Sequence, residues 1–245
     1  MEADLNMADH FERHLPDTNA LITGASRGIG KALAEKLLES NARVSGVARH
    51  FEKQIDVEQN FVGYEFDLSD VDSLPQEMER LPKDINVLVL NAGYGKFGGL
   101  EQFSYADIRR LVDTNLIANI MLAKHYLPKM KTQGEGDIVI VGSESSLNGA
   151  RAGAVYCATK FALRGFAQSL RADCSTSNIR TFLVNPGPVD SNFFDELDFE
   201  PRGETDFSLN PDDVAQAIIH ALMQPRHVVT EEINMQPMKR SFIKK

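Results

Sequence analysis

The chain predicts an α/β protein built as a single doubly wound domain, with a parallel sheet of about seven strands and helices on both faces. Three observations carry that expectation. From residue 20 onward, short apolar runs alternate with helix-length amphipathic segments. A glycine-rich turn joins the first apolar run to the first helical segment. No repeat, low-complexity tract or break in composition divides the 245 residues.

Residues 1–18 are polar, mixed in charge and without a clear period, and read as an N-terminal extension outside the domain at 19–245. His10 and His14 have the i,i+4 spacing of metal ligands. With no third ligand in view a solvated helix face is expected, and no metal is assigned. Residues 20–23 then form a short buried strand, followed by Gly24, Ser26, Arg27, Gly28, Ile29 and Gly30, and by apolar residues at helical spacing over 31–38. Strand, glycine turn and helix make the setting of a phosphate-binding loop. Glycine lets a pyrophosphate approach the backbone, and the helix start supplies free N–H donors and a positive dipole. Glycines that only make a tight turn are the plainer alternative.

Residues 42–48 read as a second strand, closing a right-handed β-α-β unit. An acid at the end of this strand would hold the adenosine ribose hydroxyls, whereas an arginine accommodates a 2′-phosphate. Here the end is Arg49 and His50, and Arg27 lies in the loop opposite. Two guanidiniums suit a phosphate dianion, which favours NADP(H) over NAD(H); two solvated surface arginines are the alternative.

The alternation continues. Residues 60–66 are strand-like and end at Asp67 and Leu68, with an amphipathic helix expected over 69–80. Asp67 is placed either to accept from an adenine amino group or to lead into that helix. Residues 85–90 are almost continuously apolar, as a central parallel strand is. They end in Asn91, Ala92 and Gly93, small enough to leave room for a ribose. A long helical stretch over 105–130 carries Asn115, and a strand at 137–141 ends at Ser143. The helix over 155–175 carries Tyr156 and Lys160, which an i,i+4 spacing stacks on one face. A phenol ordinarily titrates near pH ~10. A lysine beside it favours the phenolate and makes it a better proton shuttle at neutral pH. The strand at 180–184 leads into Pro186, Gly187, Val189 and Ser191. Each of these segments falls at the carboxyl end of a strand or the start of the next helix, the edge where open parallel sheets bind ligands.

A net charge of -9 and a pI near 5.2 argue against a nucleic acid or an anionic membrane as partner. The two cysteines, Cys157 and Cys174, suggest no disulfide framework, which fits a reducing compartment. No apolar run reaches the length of a membrane span and no signal pattern opens the chain, so a cytoplasmic location is expected.

Together these residues resemble the short-chain dehydrogenases/reductases. Thr23 to Gly30 are similar to that family's TGxxxGxG loop, and Asn91-Ala92-Gly93 to its NAG motif. Ser143, Tyr156 and Lys160 match its Ser…YxxxK site in order and spacing, and Pro186 to Ser191 resemble its PGxVxT segment. The likeness covers about residues 19 to 236. Two departures are Leu90, where an asparagine is usual, and Ser191, where threonine is usual. The resemblance implies an NADP(H)-dependent oxidoreductase that interconverts a small-molecule carbonyl and an alcohol. Tyr156 would be its general acid/base, Ser143 would position the substrate oxygen, and Lys160 would contact the nicotinamide ribose and lower the Tyr156 pKa. Asn115 would hold a water linking Lys160 to solvent. The cofactor contacts would come from the glycine loop, Arg49, Asp67, Leu68, Asn91–Gly93, Tyr156, Lys160 and the 186–191 segment. A homotetramer or homodimer packed through the long helices is implied too.

Residues 192–208 would be the lid over the substrate, rich in phenylalanine and carboxylates with Arg202 its only base. Inward-facing carboxylates would disfavour an anionic substrate; carboxylates facing water would not. Arg151 and Lys96 could bind a substrate carboxylate. The segment from 210 to 237 resembles, more loosely, the bacterial subgroup acting on 3-hydroxy acids. A cofactor-sensing regulatory protein on the same fold is the other reading. A Ser143–Lys160 hydrolase would leave the glycine loop unexplained and lacks a G-x-S-x-G elbow.

Overall fold

The computed structural model describes residues 15–51 and 60–245, so His10 and His14 lie outside the described residues. The first half contains β1 (Asn19–Thr23), α1 (Gly28–Glu39), β2 (Arg43–Ala48), β3 (Phe61–Glu65), α2 (Leu74–Met78) and β4 (Val87–Leu90). Next come α3 (Tyr105–Val112), α4 (Ala118–Gln133), β5 (Gly136–Val141), α5 (Ala154–Cys174) and β6 (Ile179–Pro186). The chain ends with β7 (Phe199–Pro201), α6 (Pro211–Met223), β8 (Glu232–Met235) and β9 (Phe242–Lys244).

Seven strands pair in parallel in the order β3-β2-β1-β4-β5-β6-β8. Every residue of β1, β4, β5 and β6 is buried, because helices cover both faces of the sheet. Side chains alternate between the two layers. Ala20, Ile22, Val87 and Val89 pack with α1 and α6, whereas Leu21, Leu88 and Leu90 pack with α4 and α5. The β1–β4 register pairs Ile22 with Val89, so both strands end at the same edge.

Two helices differ from expectation. The helix expected over 69–80 shrinks to α2, because Asp and Ser side chains compete for the backbone before it. Asp67 Oδ1 accepts from the Ser69 N–H at 2.9 Å, Asp70 Oδ1 accepts from the Ser73 N–H at 3.3 Å, and Pro75 is tolerated only in a first turn. The long helix over 105–130 is present but contains one π turn, Asp113–Ile117, between α3 and α4. That wider turn carries Asn115, which is fully buried.

At the edge opposite the glycine loop, β5 and β6 are locked by buried charge. Arg180 donates to both oxygens of Asp137, at 2.7 and 3.0 Å, and to the carbonyls of Leu222 and Gln224 at 2.8 and 2.7 Å. Arg226 also donates to Asp137, at 2.8 Å. Removing one partner from a buried pair leaves charge uncompensated. Arg180→Met is expected to cost about 3 kcal/mol and lower Tm by roughly 6–12 °C in a thermal melt. A melt within 2 °C of the parent, on the order of 1 kcal/mol or less, would show that the lock is dispensable.

Candidate active site

At the carboxyl edge, β1 passes directly into the glycine loop. Gly24 (φ 68°) and Gly28 (φ 56°) both take left-handed backbone that only glycine adopts freely. Gly24 and Gly30 serve packing inside the protein. A Cβ on Gly30 would lie 2.3 Å from the Gly24 carbonyl oxygen and 2.6 Å from Asn91 Nδ2. Gly28 instead faces Ser191 across the mouth of the site, where a Cβ would lie 3.4 Å from the Ser191 Cβ. Helix α1 starts from Arg27, whose backbone is extended and whose side chain caps nothing, and its first turn holds no acid. The helix start therefore keeps free N–H donors and an uncompensated positive dipole, which fits a pyrophosphate. Arg27 and Arg49 are both exposed, and Ser26 and Ile29 are half-buried.

Thr23 and Asn91 fasten this loop to β4. Thr23 Oγ1 accepts the N–H groups of Asn91 and Ala92, each at 2.9 Å, and Asn91 Nδ2 donates to the Thr23 carbonyl at 2.9 Å. Asn91 thus braces the scaffold, and it is followed by half-buried Ala92 and exposed Gly93. Asn115 makes a second fastening. It accepts from the Tyr94 N–H at 3.1 Å, donates to the Tyr94 carbonyl at 3.0 Å and reaches Thr159 Oγ1 at 3.3 Å. Gly93 sits against it, since a Cβ there would lie 3.2 Å from Asn115 Oδ1 and 3.6 Å from Lys160 Nζ.

Ser143, Tyr156 and Lys160 converge as the spacing predicts. Ser143 follows β5 in extended conformation, and its Oγ accepts from the Ser145 N–H at 3.1 Å, leaving the hydroxyl proton to point elsewhere. Tyr156 and Lys160 are buried on α5, with the ammonium 5.9 Å from the phenol ring centre. The electrostatics differ from expectation. Burial pushes Tyr156 up to about 12, against the pull of its hydrogen bond with Ser143, and Cys157 and Glu144 push it further up. Lys160 does not offset this: burial brings it down to about 8, and its Nζ donates to the Val141 carbonyl at 3.1 Å. Desolvation outweighs the pairing that the i,i+4 spacing suggests.

After β3, Asp67 accepts from the Ser69 N–H, so its carboxylate leads into the turn before α2. Burial raises its pKa, but the Ser69 hydrogen bonds, then Arg110 and Arg49, outweigh that and hold it below the ordinary carboxylate range. Leu68 is buried beneath it. Across the site, the Gly187 N–H donates to the Met235 carbonyl at 2.8 Å, Val189 is buried, and Ser191 starts the 3-10 turn Asn192–Phe194.

The segment 192–208 turns its aromatic rings inward and its acids outward. Phe97 and Phe193 pack on Tyr156 with ring centres 5.2 and 5.9 Å away, and Phe199 packs on Phe97 at 5.2 Å. Of the acids, Asp195, Glu196, Asp198, Glu204 and Asp206 are exposed, and Asp206 pairs with Lys239 at 2.8 Å. Residues that the sequence reading passed over hold this cover down. β9 pairs antiparallel with β7, Phe242 packs on Phe199 at 5.6 Å, and Arg240 reaches Glu144 at 2.8 Å. A three-residue strand in a polar tail carries no periodic signal. Lys96 is taken by Asp107 at 2.5 Å, and Arg151 is exposed.

A family model described as short chain dehydrogenase matches residues 18–201. The chain belongs to the short-chain dehydrogenase family. It is 32% identical to an NADP-dependent 3-hydroxy acid dehydrogenase of Schizosaccharomyces pombe, covering 85% of this chain and 88% of that one. It is likewise 32% identical to retinol dehydrogenase 8 of Homo sapiens, covering 88% and 81%. Among solved structures, the alcohol dehydrogenase of the archaeon Thermococcus sibiricus complexed with 5-hydroxy-NADP superposes with a TM-score of 0.80 at 27% identity, covering 91% of this chain and 98% of that one.

For this short-chain dehydrogenase the burial of Lys160 has a measurable consequence. Below pH 8 the native and unfolded chains both hold the Lys160 proton and the burial cost is fully present. Between pH 8 and 10.5 only the unfolded chain holds it, so this lysine makes stability rise with pH across that window. NMR titration of lysine-labelled protein is expected to show one lysine, absent in Lys160→Met, titrating near pH 8. A Lys160 signal with the ordinary lysine midpoint would show that the ammonium stays solvated.

Proposed function

We propose that this short-chain dehydrogenase is an NADP(H)-dependent oxidoreductase that interconverts a small-molecule carbonyl and an alcohol. The observation that carries the reading is the convergence of Ser143, Tyr156 and Lys160 beside an uncapped helix start. Arg27 and Arg49 stand there where a carboxylate would otherwise take a ribose. NADP-dependent relatives and the neighbour solved with an NADP derivative support the same cofactor.

Gly24 to Gly30 would hold the pyrophosphate, Arg27 and Arg49 the 2′-phosphate, and Asp67 and Leu68 the adenine edge. Asn91 to Gly93, Tyr156 and Lys160, with Pro186, Gly187, Val189 and Ser191, would surround the nicotinamide riboside. When bound, the nicotinamide supplies a hydride to the carbonyl carbon in reduction and accepts it in oxidation. In reduction Tyr156 gives its phenolic proton to the substrate oxygen. Ser143, whose Oγ is turned by Ser145, donates to that same oxygen and positions it. Lys160 would return a proton to Tyr156, and Asn115, which faces the same side of Gly93 as Lys160, would hold a water linking Lys160 to solvent. A phenol near 12 is a weak acid for this task; the positive charge that a bound nicotinamide would gain as it gives up hydride, together with a protonated Lys160, would lower it.

The substrate is an uncharged carbonyl or alcohol with an apolar side, because Phe97 and Phe193 wall Tyr156 and the nearby Lys96 is paired. A 3-hydroxy acid is the second reading, supported by the Schizosaccharomyces pombe relative and by the exposed Arg151. The protein works in the cytoplasm, consistent with buried, free Cys157 and Cys174.

NADPH oxidation by a panel of ketones, aldehydes and 3-oxo acids tests the function. Turnover is expected with NADPH over NADH, and Tyr156→Phe is expected to lower kcat by about 10²–10⁴-fold. Arg49→Ala should shrink the NADPH preference roughly tenfold. Tight NADPH binding with no turnover by any carbonyl would turn the assignment to a sensor, and undiminished turnover by Tyr156→Phe would remove the mechanism.

The protein self-associates through the groove between α3 and α5. Leu100, Ile108, Val112, Leu116, Ala154 and Ala158 are among its lining residues, and it encloses about 350 Å³ of apolar space. A second copy is the proposed occupant, since Leu100 of the groove and Phe161 on α5 expose apolar surface to solvent. Light scattering should give a multiple of the 27.2 kDa chain mass, and Ala158→Glu should return the single-chain mass. A parent protein that elutes as a single chain would exclude this face as an interface.

A further inference from the structure

The backbone of Ser143 is held by a set of bonds that begins on the far side of β6. Arg164 lies one turn after Lys160 on α5 and grips Glu232 with two parallel bonds, Nε to Oε1 at 2.6 Å and Nη2 to Oε2 at 3.0 Å. The same Oε1 accepts from Asn185 Nδ2 at 3.1 Å, and Asn185 Nδ2 also donates to Asn234 Oδ1 at 2.9 Å. Asn185 Oδ1 then accepts the Ser143 N–H at 3.3 Å. A carboxylate can only accept and a backbone N–H can only donate, so the orientation of this amide is forced. Asn185 is completely buried, and it sits where the residue before Ser143 would otherwise carry a side chain. A Cβ on Gly142 would lie 2.3 Å from Asn185 Oδ1. Ser146 Oγ shares the Ser143 N–H at 3.1 Å.

We infer that Asn185 is a positioning residue for the reaction. Supported by Glu232 and Arg164, it sets the Ser143 hydroxyl toward the substrate oxygen without touching substrate or cofactor. This rests on the function proposed above, in which Ser143 and Tyr156 must meet one oxygen at once. Rotation of the 142–143 peptide swings Oγ directly, and a misplacement of about 1 Å costs up to ~10²-fold in rate. Inside the protein an amide polarised by an ion pair makes a stronger acceptor for the Ser143 N–H than water would.

The test is a double-mutant cycle on NADPH-dependent turnover of the best carbonyl in the panel. Asn185→Ala is expected to lower kcat at least tenfold, with KM for NADPH changed less than twofold. In a Ser143→Ala background it should add no further loss, because it acts only through Ser143. Multiplicative losses would assign Asn185 to general stability instead. Glu232→Gln sits at the partly exposed rim and serves as the second variant if Asn185→Ala does not fold. It should lose kcat several-fold and show the same lack of additivity. Amide hydrogen exchange at Ser143 in the free protein gives a readout independent of turnover. Exchange there is expected to quicken at least tenfold in Asn185→Ala, or in Glu232→Gln where that is the folded variant, and unchanged exchange would overturn the inference. Absence of turnover in the parent with faster Ser143 exchange in the variant would count against the proposed function and leave the Asn185 contact standing.

Discussion

The site depends on the bonds between Thr23 and Asn91. Two parallel strands end side by side at β1 and β4, and their last residues would leave backbone donors open at the sheet edge. Thr23 Oγ1 takes two of those donors while Asn91 Nδ2 returns a bond to the Thr23 carbonyl. This ties the glycine loop to the strand that leads to Gly93. The loop can then leave its Gly28 side and its helix start unfilled, because Gly24 and Gly30 are packed against Asn91 on the other side. An asparagine that looks like a ligand-binding residue in the motif also braces the architecture, and so does Asn115 on the π turn between α3 and α4.

Desolvation governs the electrostatics. Tyr156 and Lys160 are both buried, so each shifts toward its neutral form, the phenol to about 12 and the amine to about 8. At neutral pH the pair is a neutral phenol beside a lysine that holds its proton less tightly than usual. In the proposed reaction a charged cofactor would change this balance and couple proton transfer at Tyr156 to the oxidised nicotinamide. The aromatic cover adds to this effect: Phe97 and Phe193 exclude water from the phenol and keep the local dielectric low.

That cover is assembled from distant sequence. β7 is too short to hold itself, and its ring, Phe199, gains Phe242 as a further partner beside Phe97 when β9 pairs with it. Lys239, Arg240 and Lys245 then pair with Asp206, Glu144 and Glu200. The acids of the segment face these cations and water, and the substrate space beside Tyr156 is left apolar.

Much of this was determined by the sequence alone. The order of strands and helices follows from local periodicity. The glycine loop, the Asn91–Gly93 turn and the Tyr156–Lys160 spacing are short motifs whose chemistry depends on neighbours a few residues apart. Their meeting at one edge follows from the rule that parallel strands all end on the same side. The tertiary structure alone decided whatever depends on burial or on partners far along the chain. The helix over 69–80 was cut short by Asp67, Asp70 and Ser73 bonding to the backbone, a local contest that periodicity does not register. The Asn185–Glu232–Arg164 support of Ser143 joins residues from β6, β8 and α5, each unremarkable in its own segment. The direction of the Tyr156 and Lys160 shifts was also beyond the spacing. An i,i+4 pair sets the distance between two groups, but solvent exclusion by the rest of the fold sets the strength and the sign of what they do to one another.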